Sequence, residues 1–260
     1  MTNPALRTLQ ATRYVIPLRE GGSMPAIVEA DDDGLYVLKF RGAGQGPKAL
    51  VAEIVVGELA RALGLPVPEI VLIELDAELA RTEGDPEIQE LIRASAGLNL
   101  GLDYLPGAIN FDPAAEQPGG ELASSIVWLD AFTSNVDRSF RNTNLLVWHG
   151  APWLIDHGAA LYFHHGWDGS TEAADSRFPM VREHVLLPLA DGIEAADARL
   201  APQVTRELLE AILARVPDSW LEGHDAWGEP AVQRAAYVDF LLQRLANRRG
   251  FLEEALHARG

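Results

Sequence analysis

Spacing of apolar and polar positions divides the chain into an alternating first part and a helical second part. Arg13-Tyr-Val-Ile-Pro-Leu18, residues 26–30 and residues 35–40 read as three strands, parted by turns at 19–25 and 31–34. In the third strand Tyr36, Leu38 and Phe40 share one face, and Leu35, Val37 and Lys39 the other. Over 49–63 the apolar positions change to helical spacing at Leu50, Ile54, Leu59 and Leu63, and Gly64 with Pro66 stops the helix. Residues 67–75 predict a fourth strand, 86–94 a polar helix, and 97–107 a strand running into a turn. Residues 106–120, rich in Pro, Gly and acids, read as a surface loop. A helix over 121–133 carries Leu122, Ala123, Ile126, Val127 and Leu129 on an apolar face. Two short apolar strands come next, joined by the turn His149-Gly-Ala-Pro152. Helices return over 205–216 and 230–258.

Composition narrows the classes. With 260 residues, 48% of them hydrophobic, the chain suits one large domain or two lobes with a buried core. It has no Cys, which excludes disulfides and thiolate metal sites. The first ten residues lack a secretory apolar core, and no run approaches the ~18–20 apolar residues of a membrane span. A cytoplasmic protein is expected. The formal net charge is -17, from 38 acidic and 21 basic residues. Such a surface repels nucleic acid and anionic lipid, whose phosphates need Lys and Arg. The charge reads first as solubility or an acidic bias of the whole proteome, and a basic peptide or protein substrate is the sharper alternative.

The candidate chemistry lies between the 121–133 helix and the hairpin, in Ser134-Asn-Val-Asp-Arg-Ser-Phe-Arg-Asn-Thr-Asn144. Asp137 is followed five positions on by Asn142, and the hairpin ends in Asp156-His157-Gly158. The hairpin returns Asn142 and Asp156 to one end, where oxygen ligands from both can meet one cation. Alone, Asp137 would be a helix-capping or turn aspartate; its pairing with Asn142 and Asp156 reverses that judgment. Asp130 reads as an ordinary polar residue of the preceding helix. His149, His157, His164 and His165 cluster in sequence, but no second ligand set stands at structural-zinc spacing.

These residues resemble the HipA-like branch of the protein-kinase-like fold, from about residue 19 to about 165. The likeness rests on Leu38-Lys39-Phe40, the helix around Glu53, Asn135-Val-Asp-Arg138 with Asn142, and Leu154-Ile-Asp-His-Gly158. The Asp-Arg pair followed by Asn is also similar to the catalytic loop of phosphatidylinositol kinases. Asn135-Val136 stand where His-Arg is usual, and Asp-His-Gly replaces Asp-Phe-Gly. The resemblance implies an α+β, two-lobed protein-kinase-like fold, with an antiparallel-sheet N-lobe over 1–103 and a mainly helical C-lobe over 104–260.

It also implies a phosphotransferase that uses ATP and Mg2+. Asp137 would orient or deprotonate the acceptor hydroxyl, while Asn142 and Asp156 hold the metal. Lys39, steadied by Glu53, would hold the nucleotide phosphates, and Gly21, Gly22 and Ser23 would let backbone amides approach them. Leu102, Asp103, Tyr104 and Leu105 would meet the adenine edge. Protein Ser/Thr is the expected acceptor. A small-molecule kinase, a lipid kinase and a non-catalytic nucleotide-binding regulator share the same fold and stand as alternatives. The chain is shorter than full HipA toxins and is expected to lack their extra N-terminal subdomain, which leaves an antitoxin partner open.

Overall fold

The structure, a computed structural model, describes residues 5–18, 24–44, 46–166, 169–222 and 228–260. Packing divides the chain into two compact units: Met1–Val51 with Pro68–Pro106, and Ala52–Val67 with Gly107–Gly260. Residues 52–67 thus pack with the later part of the chain, a division that a single boundary near 103 does not draw.

In the first unit, β1 (Thr8–Pro17), β2 (Ala26–Ala30), β3 (Leu35–Lys39), β4 (Ile70–Leu75) and β5 (Gly97–Asp103) form one sheet in the order β1-β2-β3-β5-β4. The pairs β1–β2, β2–β3, β3–β5 and β4–β5 run antiparallel. The pair β1–β4 is parallel, from Thr8↔Leu72 to Gln10↔Glu74, and it closes the sheet into a barrel. A purely antiparallel sheet, as expected from the sequence, is therefore corrected in one pairing. The closing residues, Thr8-Leu9-Gln10, precede the apolar run at 13–18 and alternate too briefly to name a partner strand. Closure leaves no long open edge for another strand to join. Arg7 bonds Asp32 at 2.8 Å and Glu69 at 2.9 Å beside this seam; exposed pairs of this kind contribute at most about 1 kcal/mol, so the backbone ladder carries the closure.

Val28, Tyr36, Leu38, Phe40, Val71 and Ile73 fill the barrel with their neighbours. Tyr36, Leu38 and Phe40 lie inward, as their alternation predicts, and Lys39 lies on the opposite face. Helix α2 (Pro86–Ala94) covers part of this core with Ile88 and Ile92; Asp85 caps it by accepting from the Glu87 N–H, and Pro86 suits the first turn.

The second unit is built around α3 (Gly120–Thr133). Every residue from Ala123 to Thr133 is buried, so the helix is enclosed on all sides where the sequence suggested one apolar face. Helices α4 (Ile193–Leu200), α5 (Arg206–Leu213), α6 (Pro230–Ala246) and α7 (Arg249–Arg259) complete the bundle. Trp128 stacks on Phe132 at 5.4 Å, and Phe251 of α7 meets Trp128 edge-on at 6.4 Å. The single helix expected over 230–258 is two, capped apart at Asn247.

Most of α1 (Pro47–Ala62) belongs to this unit. Glu58 makes a buried ion pair with Arg215, and the Leu154 N–H donates to Pro66 O at 2.8 Å. A small sheet joins β6 (Ile109–Asn110), β7 (Leu145–Trp148) and β8 (Ala151–Leu154). The β7–β8 turn places His149 and Gly150 at φ 50° and 76°, the positive pair whose twist suits a two-residue hairpin. Its base is tied by the Ile155 N–H donating to Asn144 O at 3.1 Å.

Candidate active site

Helix α3 ends where Ser134 turns left-handed at φ 54°, and the chain enters the loop 134–144. The Asp137 N–H donates to Asn135 Oδ1 at 3.2 Å. Asn142 Nδ2 donates to Asp137 Oδ2 at 2.9 Å. Asn144, at φ 47°, donates from Nδ2 to Asp137 O at 2.6 Å and to Asp137 Oδ2 at 3.3 Å. Burial pushes the Asp137 carboxyl above the usual carboxylate range, and the charge of Asp156 pushes the same way; bonds from Asn144 and Asn142 only partly offset this. Asp137, Asn142 and Asp156 are therefore brought together. Asn142 spends its amide nitrogen on Asp137, and its Oδ1 makes no hydrogen bond among the described residues.

That donor set fits a hard divalent cation. It offers an amide oxygen and carboxylates that repel one another, and no sulfur or imidazole. Among the described residues no group of three or more His, Asp or Glu converges at metal-binding distances, so a cation here would fill its shell with phosphate oxygens and water.

Asp156 stands at φ 53°, a left-handed turn directly after the hairpin. Glu53 fixes the next two residues: its Oε1 accepts from the Gly158 N–H at 3.0 Å, and its Oε2 lies 3.5 Å from His157 Nδ1. The Glu53 and His157 side chains are both buried. Lys39 is only 7% exposed on the central strand β3, which removes the plain reading of a solvated edge lysine. Gly21, Gly22 and Ser23 lie outside the described residues. Leu102 and Leu105 are buried; the Asp103 N–H donates to Glu69 O at 2.9 Å and the Tyr104 N–H to Leu35 O at 3.0 Å. Those two amides serve the barrel, and the Leu105 N–H makes no hydrogen bond among the described residues.

Two residues that sequence reasoning passed over lie beneath the loop. Asp130, read as an ordinary helix residue, is fully buried. Its Oδ2 accepts from Arg138 Nε at 2.6 Å and from His184 Nε2 at 2.9 Å, and its Oδ1 accepts from Asn135 Nδ2 at 3.0 Å. The Leu186 N–H donates to His184 Nδ1 at 3.0 Å, so the ring proton sits on Nε2. Burial alone would raise the Asp130 carboxyl, but Arg138, His184 and Asn135 hold it well below the usual range. One signal was available: a carboxylate between Leu129 and Ala131, in a helix without a polar side, needs a buried partner.

Solved kinases share this architecture. The Helicobacter pylori proinflammatory kinase CtkA matches with a TM-score of 0.58 and 12% identity, over 96% of this chain and 99% of that one. The Golgi casein kinase, solved with Mn and ADP bound, matches with a TM-score of 0.51 and 13% identity, over 100% of this chain and 75% of that one. At such identities the likeness speaks for the fold, which is kinase-like. No curated protein matches the sequence. The family profile for HipA-like kinases matches residues 13–254. The chain belongs to the HipA-like kinase family and is a phosphotransferase.

Proposed function

We propose that this kinase moves the γ-phosphoryl group of ATP, with Mg2+, to the hydroxyl of a protein serine or threonine. One observation carries the reading: the half-buried Asp137 carboxylate, aimed by two asparagine amides, shares its surroundings with Asp156. The family, and a structural neighbour that holds Mn and ADP, support nucleotide and divalent metal as the other participants. The net charge of -17 supports a basic protein acceptor. We further assign the sheet and helical units to the two lobes of the kinase fold.

Asp137 orients the acceptor hydroxyl and takes its proton as the oxygen bonds to the γ-phosphorus; the bond from that phosphorus to the β–γ bridging oxygen breaks, and ADP leaves. Asn142 and Asp156 hold the metal. When bound, Mg2+ offsets the charge that develops on the phosphate oxygens. Lys39 serves the nucleotide phosphates, helped by backbone amides at Gly21, Gly22 and Ser23, and within 102–105 the Leu105 N–H serves the adenine edge, since the Asp103 and Tyr104 amides are spent on the barrel. Glu53, the residue assigned to steady Lys39, also fixes the turn after Asp156.

The test is transfer of label from γ-labelled ATP in Mg2+, wild type against Asp137→Ala. A loss beyond about 100-fold is expected. Absence of label on protein, peptide and small acceptors, with nucleotide still bound, would make the chain a regulator and sink the reading.

A further inference from the structure

We propose that Asp130 is a positioning residue, whose buried carboxylate joins the catalytic loop to segment 184–186 as an activating phosphate does in other kinases. In kinases switched by phosphorylation, an added phosphate orders the activation segment by pairing with Arg. Here the arginine next to the candidate base is Arg138, and its side chain is 0% exposed. No phosphate can reach it without opening the core. Its carboxylate partner is already in place on α3.

The three hydrogen bonds to Asp130 lead to three parts of the site. Through Asn135 the carboxylate holds the residue that accepts the Asp137 N–H. Through Arg138 it holds a guanidinium whose Nη1 donates to Asn144 O and, at 3.5 Å, to Ile155 O, next to the hairpin end that carries Asp156. Through His184 it holds the segment: the Val185 N–H donates to Arg138 O at 3.1 Å, and Ser139 and His184 form an isolated antiparallel bridge. Removing the carboxylate therefore unties the base, the hairpin end and the segment together. The charge is also permanent. Its depressed carboxyl keeps Asp130 ionised at neutral pH, whereas a phosphate is added and removed. Segment 184–186 is then docked without modification, and the hydroxyls of the preceding stretch, Tyr162, Ser170, Thr171 and Ser176, are dispensable for activity.

This inference rests on Asp137 serving the acceptor hydroxyl, and the experiment separates the two. The full chain is assayed with γ-labelled ATP and Mg2+, using itself and myelin basic protein as acceptors. Phosphatase-treated wild type and the quadruple variant Tyr162→Phe, Ser170→Ala, Thr171→Ala, Ser176→Ala should keep wild-type kcat within about twofold. Asp130→Asn should lose kcat on the order of 100-fold, the scale of an ångström-sized misplacement, with nucleotide KM moving far less. Because Asp130→Asn strands a buried cation and can unfold, His184 gives a second arm: His184→Ala should lose kcat, and His184→Gln, which keeps a donor toward Asp130, should recover most of it. Activity lost on phosphatase treatment or in the quadruple variant, full kcat in Asp130→Asn, or equal rates in the two His184 variants would overturn the inference. An active Asp137→Asn would instead sink the functional reading; an inactive Asp137→Asn beside an active Asp130→Asn would sink this inference alone.

Discussion

Arg138 beneath the 134–144 loop and Arg244 at the end of α3 are 2% and 1% exposed, and they are held in different ways. Arg138 faces a carboxylate, Asp130, and adds two backbone carbonyls. Among the described residues the hydrogen bonds of Arg244 go to carbonyls: Ala131 O at 2.7 Å, Phe132 O at 2.6 Å, Ala174 O at 3.1 Å and Ser176 O at 2.8 Å. The first two belong to the last turn of α3, whose carbonyls lack helical partners and where the helix dipole favours a cation. Burial pulls Arg244 down to about 10, so it remains charged at neutral pH. Backbone oxygens thus take all of these hydrogen bonds, with the charge of Asp175 acting from nearby and the Phe251 ring 5.2 Å away, and they fasten α6 to α3 and to the 174–176 turn. The 134–144 loop uses a direct bond to a full opposite charge, and with it a dependence on both partners.

The largest effect expected is on that dependence. Asp130→Ala should cost about 3–5 kcal/mol in urea unfolding, because the remaining guanidinium is buried without a counter-charge. Arg244→Met should cost about 2–3 kcal/mol, since it strands acceptors but no buried charge, Asp175 being exposed. An Arg244 variant that falls as far as the Asp130 variant would erase the distinction.

Acid should separate the two regions next. The Asp130 carboxyl is depressed in the fold, so its contribution is whole above the usual carboxylate range near ~4 and is lost progressively as pH falls from there toward the depressed folded value. Unfolding midpoints taken from about pH 7 to about pH 3 should drop in wild type and flatten in Asp130→Asn/Arg138→Met. Arg244 stays protonated throughout and adds no slope.

The smallest effect has the opposite sign. Asp137 is raised in the fold, so its ionised form at neutral pH costs stability. In metal-free buffer Asp137→Asn should raise the thermal midpoint slightly, by less than about 1 kcal/mol in stability, while transfer is lost. A fall would show that the carboxylates do not strain the site. For the same reason kcat/KM should decline with acid at a pH above the ordinary carboxylate value.

The grouping in space of Asp137, Asn142 and Asp156 was legible from the sequence because a short loop and a tight hairpin link them, and local spacing fixes such geometry. Helix α2 and strand β3 were legible for a similar reason, since capping residues and alternation are local. Asp130 and His184 were not, because 54 positions part them and each alone looks ordinary. The β1–β4 seam escaped likewise: a parallel pair of distant segments leaves no turn to read, and the alternation of Thr8-Leu9-Gln10 names no partner. The break between α6 and α7 fell inside one continuous helical pattern, where Asn247 gave only a weak stop.

Asp156, at φ 53°, also limits how this position can drift. A single nucleotide change from an aspartate codon yields Asn, Gly, His, Ala, Val, Tyr or Glu. Asn and Gly tolerate that backbone best, His somewhat, and the branched Val worst. Every replacement except Glu discards the carboxylate, and Glu keeps it on a longer arm and a less willing backbone. Inheritance therefore has few intermediate stops here: apart from Glu, any single step away from this residue gives up its carboxylate charge at once.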